Sequence, residues 1–461
     1  MIRLDLQQLA HIFAVEGILP ERQFSGVAID SRKDCRGQLF IAIKGERFDG
    51  HDYVASAYSN GAVAALVESP QDCDITQIIV PDCRAAMAEL ANFWRRRCDA
   101  TVIALTGSNG KTTVKEMLRQ ILCKQAATHA TRGNFNNDIG VPLTLFQLSP
   151  DDRYLIVELG ASHAGEIARL AEIAQPDIVF VNNAKAAHIS GFGSLQGVIE
   201  AKGELYAYCE PQQRAVFNAD EPAIQQWKPL CKAEQTLSCA LAADADLQGA
   251  WTATDEGLTL EVHYQDQTEK VSIGVFGEHN ARNALAAISI AVITGVEFKI
   301  AVKNLSDFKA VKGRLQMLQG PMHSRLIDDS YNANPDSLEA GIKVLCALNG
   351  TPWLALGDMG ELGAEAEALH RQMAEVAQQH GVEKFFGIGP MSCSASKIFG
   401  ESGYCFDKIE DSAAVIRTLM NENVNLLIKG SRSAGMDQLV EALRSRETSA
   451  ADDKRDDKHA V

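Results

Sequence analysis

Residues 102–113 read Val-Ile-Ala-Leu-Thr-Gly-Ser-Asn-Gly-Lys-Thr-Thr. An apolar run ends in two glycines flanking Ser108 and Asn109, then Lys111, Thr112 and Thr113 open a helix-compatible stretch to residue 125. This is the pattern of a buried strand, a phosphate-binding turn and a helix. Gly107 and Gly110 let the backbone curl until its N–H groups face an anion. The helix N-terminus adds partial positive charge. Lys111 would reach the β/γ-phosphates, and the hydroxyl of Thr112 would ligate Mg²⁺. Gly107, Ser108, Asn109, Gly110, Lys111, Thr112 and Thr113 are therefore candidate contacts for a nucleoside triphosphate. The spacing departs from the general motif: two residues separate the glycines instead of four.

Outward from this loop, three textures divide the chain of 461 residues, in keeping with roughly three domains for this length. Residues 1–98 mix short strands (26–30, 38–43, 62–68, 75–80) with helical stretches and end in a connecting helix at 84–97, a small mixed α/β domain. Residues 99–314 hold further apolar strands at 154–158, 178–182 and 214–218, with helices at 165–174, 197–208 and 279–294. Such alternation predicts a mostly parallel sheet covered on both faces, here the domain that carries the nucleotide-binding loop. Residues 315–446 alternate most regularly. Strands at 325–329, 353–357, 384–389, 403–406 and 425–429 are each followed by a helix, at 336–348, 364–381, 392–399, 411–421 and 436–444. This is the signature of a Rossmann-like, doubly wound α/β domain. The charged tail 447–461 is predicted to be disordered.

The bulk composition excludes several classes. Net charge is −16 with no basic stripe, which argues against nucleic acid as a partner. No run approaches the ~20 apolar residues of a membrane span, and residues 1–10 lack the pattern of a signal peptide. A cytoplasmic monomer is expected. The 11 cysteines are scattered without a Cys-x-x-Cys pair, the usage of reduced thiols rather than a disulfide framework or zinc site.

Further candidates fall at strand ends and helix starts. Glu158 closes the strand 154–158, where a carboxylate of such a sheet meets Mg²⁺. His188 follows the next strand at the same expected edge and is a candidate metal ligand. Asn280 and Asn283, three apart on a helix face, could present amides to an adenine edge or simply cap and solvate the helix. Lys202, in Glu200-Ala-Lys-Gly-Glu, reads from the residues alone as a surface lysine. In the third region, Asp328-Asp329-Ser-Tyr331-Asn332-Ala-Asn334-Pro335 and Lys429-Gly-Ser431-Arg432 both leave strands at the ligand-facing edge of a parallel sheet. Their Lys, Ser and Arg suit a carboxylate or phosphate.

With these segments assembled, the chain resembles the Mur ligases over residues 1 to about 446, in order. The short loop Thr106-Gly-Ser-Asn-Gly-Lys-Thr is the Mur-type version. Asp30-Ser31-Arg32 and Lys44-Gly45-Glu-Arg47-Phe48-Asp49-Gly-His resemble the UDP-muramyl-binding region. Asn134-Phe-Asn136-Asn137-Asp resembles the substrate-contacting segment after the loop. Asp329-Ser-Tyr-Asn-Ala-Asn-Pro-Asp-Ser, together with Lys429-Gly-Ser-Arg-Ser, resembles the branch that adds D-alanyl-D-alanine.

The resemblance implies an ATP- and Mg²⁺-dependent ligase that joins D-alanyl-D-alanine to UDP-N-acetylmuramoyl-tripeptide through an acyl phosphate. It implies Lys111, His188 and Lys202 as catalytic residues, Lys202 in carbamylated form. Thr112, Glu158, His188 and Lys202 would bind metal, and Arg314 and Asp329 would contact nucleotide. Ser31, Arg32, Lys44, Gly45, Arg47, Phe48, Asp49, Asn134, Asn136, Asn137, Tyr331, Asn332, Asn334, Lys429 and Ser431 would contact substrate. The near alternatives are another amide ligase of the superfamily, a different Mur step or a folylpolyglutamate synthase. A P-loop switch is the alternative from a different class.

Overall fold

Residues 1–15, 19–187 and 189–444 are described in the computed structural model. His188 and the tail expected to be disordered, 447–461, lie outside the described residues.

Among the described residues three main sheets follow one another, the first accompanied by a two-stranded ribbon. In the first region, β1 (Arg3–Asp5) pairs antiparallel with β2 (Gln23–Ser25). Beside them β3 (Val27–Ala28), β4 (Leu39–Ile41), β5 (Ala64–Val67) and β6 (Thr76–Ile79) form a parallel sheet in sequential order. The connecting helix runs Cys83–Arg95, capped by Asp82, whose carboxylate accepts from the N–H groups of Arg84 and Ala85.

The central sheet contains β7 (Thr101–Thr106), β8 (Thr128–Ala130), β9 (Tyr154–Glu158), β10 (Ile178–Val181), β11 (Arg214–Asn218), β12 (Gln235–Ala240), β13 (Leu247–Thr254), β14 (Gly257–Tyr264) and β15 (Gln267–Ile273). Their order is β15-β14-β13-β12-β11-β10-β7-β9-β8. Pairing is parallel from β8 to β13 and antiparallel through β14 and β15. Strand alternation splits the core in two. Val102, Ala104, Leu155 and Val157 pack towards the connecting helix. Ile103, Leu105 and Ile156 pack towards the helices Lys111–Cys123 and Glu278–Ile293. The expected parallel sheet is present, extended beyond expectation by the parallel β12 and the antiparallel β13–β15 meander.

The third sheet contains β16 (Gln316–Gln319), β17 (Arg325–Asp329), β18 (Thr351–Gly357), β19 (Lys384–Ile388), β20 (Gly403–Phe406) and β21 (Val424–Lys429), in the order β16-β17-β21-β18-β19-β20. All five expected strands are there and mutually parallel, with β16 added antiparallel at one edge. Because β21 inserts between β17 and β18, the chain reverses its direction of winding there. The loops after these strands diverge and leave a crevice at their C-terminal ends.

One cysteine expectation is corrected. Cys393 and Cys405 form a disulfide. The β19–β20 register sets Cys405 beside Gly387, and the helix Pro390–Ser396 folds Cys393 back over the same point. The Cα atoms are then 4.7 Å apart, a separation a disulfide spans without strain of the backbone. Nine other cysteines are free.

Candidate active site

The phosphate loop adopts the conformation its glycines allow. Gly107 has φ +151° and Gly110 φ +80°. A Cβ on Gly110 would stand 2.5 Å from both Asn182 Nδ2 and Asn283 Oδ1, so any other residue would push these amides aside, in a backbone conformation that L side chains rarely adopt. The helix Lys111–Cys123 starts at once and directs its free N–H groups into the loop. Lys111 folds back, its Nζ donating to the carbonyl oxygens of Gly107 at 2.6 Å and Ser108 at 3.3 Å. Burial, joined by the positive charge of Arg314, holds the Lys111 ammonium below its usual pKa against the pull of Glu158.

Glu158 is 3% exposed at the end of β9. Its Oε2 accepts from Thr112 Oγ1 at 3.0 Å and its Oε1 from Asn136 Nδ2 at 2.9 Å. Among the described residues, its side-chain hydrogen-bond partners are neutral. A buried carboxylate with neutral partners and a hydroxyl from the phosphate loop suits a divalent cation. No group of three His, Cys, Asp or Glu converges as a closed cage among the described residues.

Lys202 departs from its surface reading. It is 2% exposed, on the inner face of the helix Leu195–Ala207 beside Ala201, Leu205 and Tyr206. Its Nζ sits 5.6 Å above the Phe192 ring. Burial first, then Lys111, pushes its pKa down to about 7. A charge-paired sequence neighbourhood hid this, because Glu200 and Glu204 flank it along the chain but the lysine alone turns inward.

Two residues at this edge were missed. Asn182 and Asn183 leave β10 and hold the loop: Asn182 Nδ2 and Asn183 Nδ2 both donate to the Asn109 carbonyl, at 2.9 and 3.0 Å. Asn183 Oδ1 accepts the Asn109 N–H at 2.9 Å. The signal was available, as two amides directly after an apolar strand in a phosphate-loop sheet. Asn280 and Asn283 are buried, not solvated. Asn283 accepts from Asn182 at 3.0 Å and donates to Asn280 at 3.1 Å, and Asn280 donates to the Phe276 carbonyl. Thr113 is buried in the helix's first turn.

The edge of the third sheet meets this loop. Asn334 caps the helix Pro335–Ala347 through Ser337, and its Nδ2 donates to Asn109 Oδ1 at 2.8 Å. Lys429, buried, pairs with Asp329 at 2.5 Å and donates to the Asn332 carbonyl at 2.9 Å. Burial lowers its pKa, Asp329 opposes, and Arg314 lowers it further. Arg314 stacks 4.1 Å over the Tyr331 ring. Burial, with Lys429 and Arg282, pushes nearby His279 down to about 4. Ser431 faces elsewhere, donating to the Asp358 carbonyl at 2.6 Å.

In the first region, Ser31 is buried, and Arg32 is bound to Asp30 with its side chain 86% exposed. The backbones of Lys44 and Asp49 pair as an isolated antiparallel β-bridge across a turn closed by the Gly45 N–H on the Phe48 carbonyl. Asp49 accepts from the His51 N–H. Arg47 is exposed, and so is Phe48, at 70%. Arg84 joins this turn to the central segment, donating to the Lys44 carbonyl at 3.1 Å and to Asp138 at 3.0 Å. Asn134 and Asn137 are both exposed, and Asn137 Oδ1 accepts from the Ile139 and Gly140 N–H groups.

The Mur ligase family catalytic domain matches residues 23–96, the Mur ligase middle domain 105–291, and the Mur ligase glutamate ligase domain 313–432. The chain is 40% identical to the UDP-N-acetylmuramoyl-tripeptide–D-alanyl-D-alanine ligase of Escherichia coli, across 97% of this chain and 100% of that protein. The chain belongs to the Mur ligase family. This Mur ligase superposes on MurF from Acinetobacter baumannii with a TM-score of 0.89 at 33% identity, covering 96% of this chain and 98% of that one. It superposes on MurF from Thermotoga maritima, solved with ADP, with a TM-score of 0.81 at 26% identity, covering 91% and 96%.

Proposed function

We infer that this Mur ligase joins D-alanyl-D-alanine to UDP-N-acetylmuramoyl-tripeptide at the expense of ATP, forming the muramoyl-pentapeptide precursor of peptidoglycan. The likeness over the full length to the enzyme of that name supports the substrates, and the ADP complex of a relative supports the nucleotide. The observation that carries the reading is the junction of Asn109 and Asn334. It joins a phosphate-binding loop to the ligand edge of a second α/β sheet, which a simple nucleotide switch does not need.

A free carboxylate does not acylate an amine in neutral water. A tripeptide carboxylate oxygen attacks the γ-phosphorus of ATP, the bond to ADP breaks, and an acyl phosphate forms. The dipeptide amine then attacks the acyl carbon, loses a proton, and phosphate leaves. Two anions must meet, so the residues act by alignment and charge neutralisation. Lys111 leaves its resting contacts on Gly107 and Ser108 for the β/γ-phosphates. Thr112 and Glu158 would hold one Mg²⁺, and His188 with carbamylated Lys202 a second; the cations supply positive charge at the phosphate oxygens. Carbamylation requires a neutral amine, and burial of Lys202 favours that form.

Asp329, Tyr331, Asn332, Asn334 and Lys429 close over the centre from the third domain, with Arg314 at its junction with the second, and keep the acyl phosphate from water. Ser31, Arg32 and the turn 44–49 hold the UDP end, and the segment 134–137 the peptide. The corresponding domains are 1–98, 99–314 and 315–446. One chain supplies every group, so a monomer suffices, and both nucleotide substrates are cytoplasmic solutes.

ADP formation tests this reading. It should require UDP-muramoyl-tripeptide and D-alanyl-D-alanine together, with glutamate, lysine or diaminopimelate inactive in the dipeptide's place. Equal rates with another amine, or steady turnover without any amine, would overturn it.

A further inference from the structure

Lys115, Lys202 and Lys429 are among the largest fully buried side chains. The last two have places in the reaction described above; Lys115 does not. It lies three residues after Thr112 on the phosphate-loop helix, 1% exposed, on the face that Thr112 shares. Its Nζ donates to the Thr131 carbonyl at 2.5 Å and stands 3.0 Å from Glu116 Oε1. Arg119 holds the other oxygen of Glu116 at 2.8 Å. Burying an ammonium is costly unless it is well matched. A leucine would fill a helix position of this kind without that cost, as Leu118 and Leu122 do on the same helix.

What the ammonium holds is informative. Thr131 follows β8 and is itself buried. Its N–H donates to the Ile156 carbonyl on β9 at 2.9 Å. Its Oγ1 accepts the N–H of Glu158 at 3.0 Å. One threonine thus has its carbonyl on Lys115 and its hydroxyl on the backbone of Glu158. The segment that leaves Thr131 returns to the same carboxylate, through Asn136 Nδ2 on Oε1 at 2.9 Å. It is clamped there by the Gly160 N–H on the Asn136 carbonyl at 2.8 Å. The helix therefore reaches Glu158 twice: directly by Thr112, and one turn later by Lys115 through Thr131.

We infer that Lys115 is a positioning residue, which pins Thr131 and so holds Glu158 and the Asn136 segment in the geometry that binds the nucleotide's divalent cation. This rests on reading Glu158 as a ligand of that cation.

The full-length chain tests it with Mn²⁺ as the probe. Its affinity for the protein–ADP complex is measured by electron paramagnetic resonance titration, alongside metal-free ADP binding by calorimetry and thermal melting. Lys115→Met and Thr131→Val should each weaken Mn²⁺ about tenfold, the low end for loss of a group that orients a metal ligand. Metal-free ADP binding should be unchanged, and Lys115→Arg should recover part of the loss. A residue that only stabilises the helix would lower the melting temperature and leave the Mn²⁺ constant where it was, which overturns the inference. If Lys115→Met does not fold, unchanged Mn²⁺ affinity in Thr131→Val overturns it equally. Glu158→Gln runs in parallel. No loss there overturns the metal reading and this inference together, whereas a loss there with none in the other two variants overturns this inference alone.

Discussion

The central edge and the first-region turn are built in opposite ways. At the central edge, the phosphate loop is wrapped in buried and half-buried polar groups: Asn182 and Asn183 on Asn109, Asn283 against Gly110, Asn136 and Thr112 on Glu158. In the first region, Arg32 and Phe48 stand 86% and 70% exposed, side chain and residue respectively, around a short turn. On the proposed function, the difference follows from what each end must do. Phosphoryl transfer needs charges fixed before the substrate arrives. A nucleotide-sugar handle needs only to be caught and can order the side chains that catch it, at a cost in affinity rather than in rate.

This contrast predicts a gradient. Lys111→Ala should have the largest effect, about 10³-fold or more on turnover, with UDP-muramoyl-tripeptide binding nearly intact by calorimetry. Substantial residual turnover would remove the loop from the chemistry. Glu158→Gln keeps the shape but removes the charge, and should cost about 10²-fold or more, with a raised Mg²⁺ requirement in the rate. Lys202→Ala should also lose about 10²-fold, and a small carboxylate such as acetate or formate should restore part of it, since it replaces an anion. Failure of every carboxylate would argue for an ammonium role instead. Asn334→Ala removes the contact between the third domain and the loop; about tenfold lower turnover is expected, from poorer closure. Arg32→Ala should be mildest, raising KM for the UDP substrate about threefold to tenfold without changing kcat. If Arg32→Ala lowered kcat as much as Asn334→Ala, the contrast between the two ends would fail.

The same contrast explains what could be read from residues alone. The loop 107–113 and the strands of the third sheet were legible because their signals are local: glycines at fixed spacing, apolar runs closed by helix starts. Glu158 and Asn334 were legible as strand-end and helix-start residues in that frame. The roles of Asn182 and Asn183 depend on β10 lying next to β7, a non-local fact. The flanking glutamates of Lys202 suggest a surface, while the lysine lies with Ala201, Leu205 and Tyr206 on the buried face of the helix. The disulfide of Cys393 and Cys405 depends on how β19 and β20 pair. The β13–β15 meander carries an alternating pattern, with Leu258, Leu260 and Val262 buried on one face, which the strand–helix alternation of its neighbours masks.

The central claim is that ATP activates the peptide's own carboxylate. Tripeptide substrate labelled with ¹⁸O in its terminal carboxylate should, on ligation to D-alanyl-D-alanine, deliver one ¹⁸O into each phosphate released. Phosphate free of label, with the oxygen coming from water instead, would contradict the account.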